Sequence, residues 1–156
     1  MSRLALLVAT VAYIGFIPIA PGTFGTAAGL AILWALRAVT TAPAADGAAM
    51  LVTFALGTWA ASEAERYFNR KDARPIVIDE VLGVLITMAL LPLTVPVMLL
   101  GFLLFRLFDV VKPFPAGRLE GAPGGYGVML DDAMAGVYAH LALRLVLMTL
   151  PPGWFA

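Results

Sequence analysis

The sequence predicts an all-α fold, a compact multi-helix bundle integral to a membrane, with some short or re-entrant helices and one polar face. The 156 residues are 62% apolar and only 13% charged, and the mean hydropathy of +0.94 lies well outside the balance of soluble domains. No Asp, Glu, Lys, Arg or His occurs from Leu4 to Leu36, from Gly47 to Ser62 or from Val81 to Phe105. We therefore expect residues 1–156 to form a single membrane domain.

Composition also excludes several functional classes. Ten basic and ten acidic residues leave no net charge that would favour nucleic acid as a partner. The chain has no cysteine, which excludes disulfides, zinc–thiolate sites and thiol chemistry. The apolar run after Arg3 superficially resembles a signal peptide, but it continues past any small-residue cleavage site, so we expect it to be retained.

The first uncharged window is too long for one membrane crossing, because a helix needs only about 20 apolar residues to cross a bilayer core of about 30 Å. The sequence "APGTFGTAAG" provides a break, since Pro21, Gly22 and Gly25 disfavour one continuous helix. This pattern predicts helices near 4–19 and 26–41.

Prolines and glycines also divide the rest of the chain. "TTAPAADG" ends the second helix, and Pro92 and Pro96 divide the third uncharged window into two helices too short to span fully, so we expect a re-entrant or tilted hairpin there. The glycine-rich "EGAPGGYG" precedes the final helix. The helices predicted in this part are about 47–68, 79–91, 96–108 and 130–149.

If these helices alternate direction, starting with a first helix that crosses the membrane, the loops 20–25, 63–78 and 109–129 lie on one side. That side collects nine of the ten acidic residues and most of the cations, so the positive-inside rule makes it cytoplasmic. Both termini would then lie outside the cytoplasm. The cations on the cytoplasmic side are Arg66, Arg70, Lys71, Arg74, Arg106, Lys112 and Arg118.

Two pairs of adjacent carboxylates, Asp79–Glu80 and Asp131–Asp132, are predicted near helix starts. One explanation is helix capping, since carboxylates favour a helix N-terminus. Adjacent carboxylates repel, however, and a membrane boundary adds a desolvation cost, so a bound divalent cation explains two such pairs more economically. Ligands that are all oxygen favour Mg²⁺, Ca²⁺ or Mn²⁺ over zinc, and Mg²⁺ is our first choice.

The segment "FRLFDVVKPFP" places Arg106, Asp109 and Lys112 at intervals of three, so the three side chains can share one helix face. A salt-bridge ladder is one interpretation. The other is a phosphate site, because Arg and Lys both suit phosphate oxygens and Asp109 could bind metal or direct a nucleophile.

Two glycine-rich loops, "PGTFGT" and "GAPGGYG", could bring backbone amides close to a phosphate, and Thr23 or Thr26 could add hydroxyl donors. Neither loop matches the GxxxxGK[ST] or GxGxxG patterns of nucleotide-binding proteins. We therefore expect no nucleotide ligand.

Taken in order, "PGTFGT", "IVIDEVLG", "FRLFDVVKPFP" and "GGYGVMLDDAMAG" resemble the motif series of the phosphatidylglycerophosphatase A family. The resemblance runs from about Pro21 to Gly136. It implies a Mg²⁺-dependent membrane phosphatase that converts phosphatidylglycerol phosphate into phosphatidylglycerol at the cytoplasmic face of the bacterial inner membrane. The charged motif positions are Asp79, Glu80, Arg106, Asp109, Lys112, Asp131 and Asp132.

The resemblance leaves the individual roles open. We expect the metal ligands among Asp79, Glu80, Asp131 and Asp132, and either Asp109 or Asp131 could be a nucleophile. The phosphate would contact Arg106, Lys112, Thr23 and Thr26. The alternatives are a small ion or lipid transporter that uses the acidic cluster and a noncatalytic membrane subunit, although transport would place the acids near the midplane rather than at helix ends.

Overall fold

The computed structural model describes residues 2–149 and Pro151, and the regular structure within these residues is helical throughout, without strands. This confirms the predicted all-α class. A 3-10 turn at Ile14–Phe16 follows the first helix. In chain order the α-helices are α1 (Arg3–Ala9), α2 (Pro21–Val39), α3 (Pro43–Phe68), α4 (Ile78–Thr87), α5 (Val95–Val111), α6 (Ala116–Leu119) and α7 (Gly125–Thr149).

The short helix α4 lies at the centre of the bundle, against α2, α3, α5 and α7. Its side chains are apolar on nearly every face, which is the pattern of a helix surrounded by protein. Val81, Val84 and Leu85 are buried with Leu33 of α2 and Phe105 of α5 in one apolar core. The side chains at the N-terminus of α4 are therefore held in place by four neighbouring helices.

Two helices, α2 with 19 residues and α3 with 26, are long and apolar enough to cross a membrane. Helix α4 has ten residues and rises only about 15 Å, half of a bilayer core of about 30 Å. Large apolar side chains cover the outer faces of these two helices, as Trp34 and Leu51 illustrate with 62% and 73% exposure. This surface is consistent with a membrane protein.

The first helix is much shorter than the sequence predicts. Helix α1 ends at Ala9, and Val11, Ala12 and Tyr13 all adopt left-handed backbone conformations that stop a right-handed helix. Seven residues rise only about 10 Å, so the predicted helix 4–19 is wrong. The prediction that the N-terminus lies outside the cytoplasm assumed that this first helix crosses the membrane. That prediction therefore no longer has support.

The second helix begins earlier than predicted, at Pro21 instead of residue 26. Proline is well suited to the first position of a helix, where its missing N–H is not needed. Gly25 and Gly29 lie inside the helix and allow close approach to α4: a Cβ on Gly29 would lie 2.4 Å from Cγ1 of Val84. The glycines therefore serve helix packing rather than a chain break, and the predicted break at "APGTFGTAAG" is displaced to the residues before Pro21.

The last helix also begins earlier, at Gly125 instead of residue 130. Gly125 lies against α3, where its N–H donates to Oγ of Ser62 at 2.8 Å and a Cβ would meet the Thr58 carbonyl oxygen at 2.2 Å. Asp131 and Asp132 consequently lie in the second turn of α7, and they do not cap its N-terminus.

The predicted division at Pro92 and Pro96 is confirmed, since α4 and α5 are separate helices joined by residues 88–94. At this end of the bundle, Arg37 of α2 pairs with Asp46 of α3 and donates to the carbonyl oxygens of Met88 and Leu91. We call this the far end. The opposite end, where α2 and α4 begin and α3 and α5 finish, is called the polar end.

Candidate active site

Three carboxylates meet at the polar end: Asp79 and Glu80 from the first turn of α4, and Asp132 from α7. One oxygen from each lies within 4.8 Å of the other two, and we call this group the acidic trio. Asp79 and Asp132 are buried, and an oxygen on each of the three side chains has no hydrogen-bond partner among the described residues. Polar atoms left unpaired in a protein interior are costly and indicate an additional ligand.

The electrostatics of the trio favour a cation as such a ligand. Burial raises the pKa of Asp79 well above its usual range, and the charge of Glu80 raises it further. Burial likewise raises the pKa of Glu80 to about 8, with Asp132 acting in the same direction against the opposing charge of Arg106. A hard divalent cation would offset this repulsion, and an all-oxygen donor set fits Mg²⁺, Ca²⁺ or Mn²⁺. The residues of the trio therefore could hold a metal.

Arg106 connects the trio to the next carboxylate along α5. Its NH1 atom lies 2.7 Å from Oδ2 of Asp109 and 3.7 Å from Oε1 of Glu80. The Arg106–Asp109 pair has the helical i, i+3 spacing that the sequence predicts. The guanidinium is thus held at the edge of the trio, with its remaining donors available to another anion.

The salt-bridge ladder considered from the sequence would pair Lys112 with Asp109, but Lys112 has other partners. Helix α5 ends at Val111, and Lys112 follows it with a left-handed φ of 44°. Its ammonium pairs with Asp131 of α7 and lies 3.7 Å from Glu120. Burial alone would lower the pKa of Lys112, but the hydrogen bond and charge of Asp131 outweigh it and raise the pKa above its ordinary value. Lys112 is therefore a cation held by Asp131, and it does not extend the salt bridge between Arg106 and Asp109.

Asp131 and its neighbour Asp132 have different contacts. Besides the pair with Lys112, its Oδ1 accepts the N–H of Asp132 at 2.9 Å. The acidic trio contains three of the four predicted metal ligands, while the Asp131 carboxylate is directed to Lys112.

The start of α2 closes another side of the site. The backbone of Gly22 lies so near the trio that a Cβ there would stand 2.1 Å from Oε1 of Glu80. Thr23 follows, half-buried at the first turn, and its N–H donates to the Ala20 carbonyl. Thr26 is fully buried, and its hydroxyl donates to the Gly22 carbonyl at 2.9 Å.

Sequence reasoning missed Asp72, which lies in the loop after α3. Its backbone is left-handed, with a φ of 44°, and its N–H donates to Oε1 of Glu65 at 2.9 Å. Burial raises the pKa of Asp72, the ammonium of Lys112 partly offsets this effect, and the charge of Glu120 adds to it. Asp72 therefore belongs to the electrostatic surroundings of Lys112. The only signal in the sequence is one carboxylate within the charged stretch "NRKDARP".

The family model for phosphatidylglycerophosphatase A matches residues 7–147. The chain belongs to this family. It is therefore a phosphatase of the phosphatidylglycerophosphatase A family, which acts in lipid metabolism, and the four motifs that suggested the resemblance lie within the matched residues.

Two individual relatives carry the family's name, and a third carries a different one. Phosphatidylglycerophosphatase A of Haemophilus influenzae is 35% identical over 134 residues, covering 83% of this chain and 80% of that protein. The Escherichia coli protein of the same name is 32% identical over 126 residues, covering 79% and 72%. A Bacteroides thetaiotaomicron protein named "Putative phosphatidylinositol-3-phosphatase" is 37% identical over 154 residues, covering 92% and 94%. No solved structure matches the chain with significance.

Proposed function

We propose that this phosphatidylglycerophosphatase A family member hydrolyses the terminal phosphate monoester of phosphatidylglycerol phosphate, giving phosphatidylglycerol and phosphate. The reaction is assisted by Mg²⁺ and takes place at the cytoplasmic face of the bacterial inner membrane. One observation carries the proposal: the largely buried acidic trio lies beside the cations Arg106 and Lys112 at one end of an apolar bundle. A membrane-bound phosphate monoester needs this combination of groups.

Asp79, Glu80 and Asp132 would hold the metal, because their unpartnered oxygens converge within the trio. When bound, Mg²⁺ supplies positive charge that polarises a phosphate oxygen. Asp131 was also predicted as a ligand, and its pairing with Lys112 supports a different role for it.

Arg106 and Lys112 would bind the phosphate oxygens. Arg106 is oriented by Asp109 and Glu80, so its guanidinium does not have to be ordered when substrate arrives. The hydroxyl of Thr23 and the N–H of Gly22 at the start of α2 would add donors, since a helix N-terminus favours an anion. Thr26 remains a candidate donor, but its hydroxyl would first have to leave the Gly22 carbonyl.

A carboxylate would activate the attacking group. Asp131 and Asp109 are the two candidates, because each is paired with a phosphate-binding cation and lies outside the trio. Either would orient a water for in-line attack by accepting its proton, or would attack phosphorus itself to form a phospho-aspartyl intermediate that water then cleaves. In both routes the alcohol oxygen of phosphatidylglycerol leaves with its electron pair and takes up a proton.

The test is phosphate release by the purified protein in detergent micelles with saturating Mg²⁺. Phosphatidylglycerol phosphate, phosphatidylinositol 3-phosphate and phosphatidic acid would be compared at equal mole fraction. We expect the highest kcat/KM with phosphatidylglycerol phosphate. No release from any of the three would overturn the proposal.

Phosphatidylinositol 3-phosphate is the second candidate substrate, because the Bacteroides relative that bears the corresponding name covers 92% of this chain at 37% identity. The two substrates share a phosphate monoester on a membrane lipid and differ in headgroup bulk. A higher kcat/KM with phosphatidylinositol 3-phosphate in the same assay would favour this candidate.

A further inference from the structure

An apolar groove runs along the outside of the bundle between α2 and α5. It has a volume of about 560 Å³ and an almost wholly apolar lining. Ala27 and Ala31 line it from α2 on consecutive turns, with Trp34 beyond them, while Leu99 and Phe102 line it from α5. The small alanine side chains leave open space where larger residues would bring the two helices into contact.

The groove continues the faces that carry the proposed headgroup residues. Thr23 lies one turn before Ala27 on α2, and Arg106 lies one turn after Phe102 on α5. Residues four apart share a helix face, so the groove and the phosphate-binding groups are aligned. Because α2 begins and α5 finishes at the polar end, both helices lead from the groove to the same site.

The dimensions agree with one lipid chain in one leaflet. From Thr23 to Trp34 the helix rises about 16 Å, which is close to half of a bilayer core of about 30 Å. A chain that enters beside the headgroup site would therefore reach the middle of the bilayer within the groove.

We propose that the groove between α2 and α5 binds one fatty acyl chain of the phospholipid substrate while its phosphate is held at the polar end. This inference rests on the proposed function and adds a binding site for the lipid part of the substrate. Since lipid tails are as apolar as the groove, the gain is orientation of the phosphate rather than hydrophobic burial.

The test blocks the groove below its entrance. Ala31→Trp fills the groove one turn beyond Ala27. Ala48→Trp is the matched control, because Ala48 is likewise an exposed alanine but lies on α3 and does not line the groove. Each variant is assayed with dioleoyl and dihexanoyl phosphatidylglycerol phosphate in the same neutral detergent micelles with Mg²⁺. Melting temperature and oligomeric state are measured alongside.

We expect Ala31→Trp to lower kcat/KM about tenfold or more with the dioleoyl substrate, because the chain is displaced and the phosphate misplaced. With the short dihexanoyl chains, which end above the block, the change should stay within about twofold, as should both values for Ala48→Trp. If the wild type hydrolyses both lipids and Ala31→Trp behaves like Ala48→Trp, the groove proposal is overturned while the proposed function stands. If Ala31→Trp loses kcat/KM equally with both lipids, with or without a change in oligomeric state, the groove proposal is also overturned. A wild type that hydrolyses neither lipid removes the proposed function and the groove proposal together.

Discussion

The backbone of Gly22 lies directly against the carboxylate of Glu80, so that a Cβ at position 22 would stand 2.1 Å from Oε1 of Glu80 and 2.9 Å from NH1 of Arg106. Three helices are thereby brought together at the polar end: α2 through Gly22, α4 through Glu80 and α5 through Arg106. The site depends on this contact, because any side chain at position 22 must displace one of the two charged groups.

Gly22→Ala should therefore reduce activity without unfolding the protein. The added methyl group displaces the flexible end of Glu80, and misplacement of about 1 Å at a catalytic group costs roughly 10²-fold in rate. Kinetics of phosphate release and the melting temperature would be measured together. Gly47→Ala is the control, since no atom lies within 4 Å of its added Cβ, and it should keep full activity. Equal activity of the two variants would show that the Gly22 contact is unimportant.

Asp79→Asn should stabilise the metal-free protein at neutral pH. The pKa of Asp79 is raised on folding from its ordinary value of 3.8, so folded protein binds a proton there and stability falls as the pH rises above that value. The variant removes this loss, so in EDTA its melting temperature should exceed that of the wild type at pH 7 and match it near pH 4. Addition of Mg²⁺ should raise the melting temperature of the wild type more than that of Asp79→Asn.

Asp46→Asn provides the contrast for that experiment. Asp46 is buried at the far end and pairs with Arg37. This substitution should therefore lower the free energy of unfolding by about 1–3 kcal/mol, and the melting temperature with it, while the response to Mg²⁺ stays intact. If Asp79→Asn is destabilising in EDTA and responds to Mg²⁺ as the wild type does, the acidic trio is not a metal site.

Lys112→Met should lower kcat/KM by roughly 30- to 1,000-fold, corresponding to about 2–4 kcal/mol of transition-state stabilisation, if Lys112 binds the phosphate. The variant should also be less stable, because Asp131 is only 3% exposed and would lose its partner. Activity is therefore measured well below the melting temperature. Glu120→Gln removes the more exposed partner of Lys112 and should change both quantities little. A destabilised Lys112→Met protein with full activity would restrict Lys112 to a structural role.

The cytoplasmic orientation of the polar end can be tested by cysteine labelling, since the native chain has no cysteine. Arg118→Cys and Thr41→Cys are both exposed, the first near the polar end and the second near the far end. In intact cells an impermeant reagent should label position 41 and leave position 118 unlabelled until the membrane is opened. External labelling at position 118 would reverse the proposed orientation.

The polar end was predictable from the sequence because charged side chains are costly within an apolar layer. That cost places Asp79, Glu80 and Arg106 at helix ends whichever helices pack together. The limits of the individual helices were less predictable. Apolarity alone does not distinguish a spanning helix from the seven residues of α1, whose end depends on left-handed backbone at Val11.

Contacts between distant segments account for the other differences. Gly22 was predicted to interrupt a helix, but its place inside α2 depends on α4 lying against it. The pair between Lys112 and Asp131 joins residues 19 apart, and helical spacing within α5 gives no indication of it. Helical spacing therefore identified the pair between Arg106 and Asp109, which lie on one helix, and not the partner of Lys112, which lies on another.

The most direct test of the central claim is phosphate release from phosphatidylglycerol phosphate by EDTA-treated protein as Mg²⁺ is added back. The wild type should be inactive at first and gain activity that saturates with Mg²⁺. Asparagine variants of Asp79, Asp109, Asp131 and Asp132 should each recover less than about 1% of that rate at the same Mg²⁺ concentration. Full turnover in EDTA, or near-wild-type rates in three of the four variants, would contradict a metal-assisted phosphatase site at the polar end.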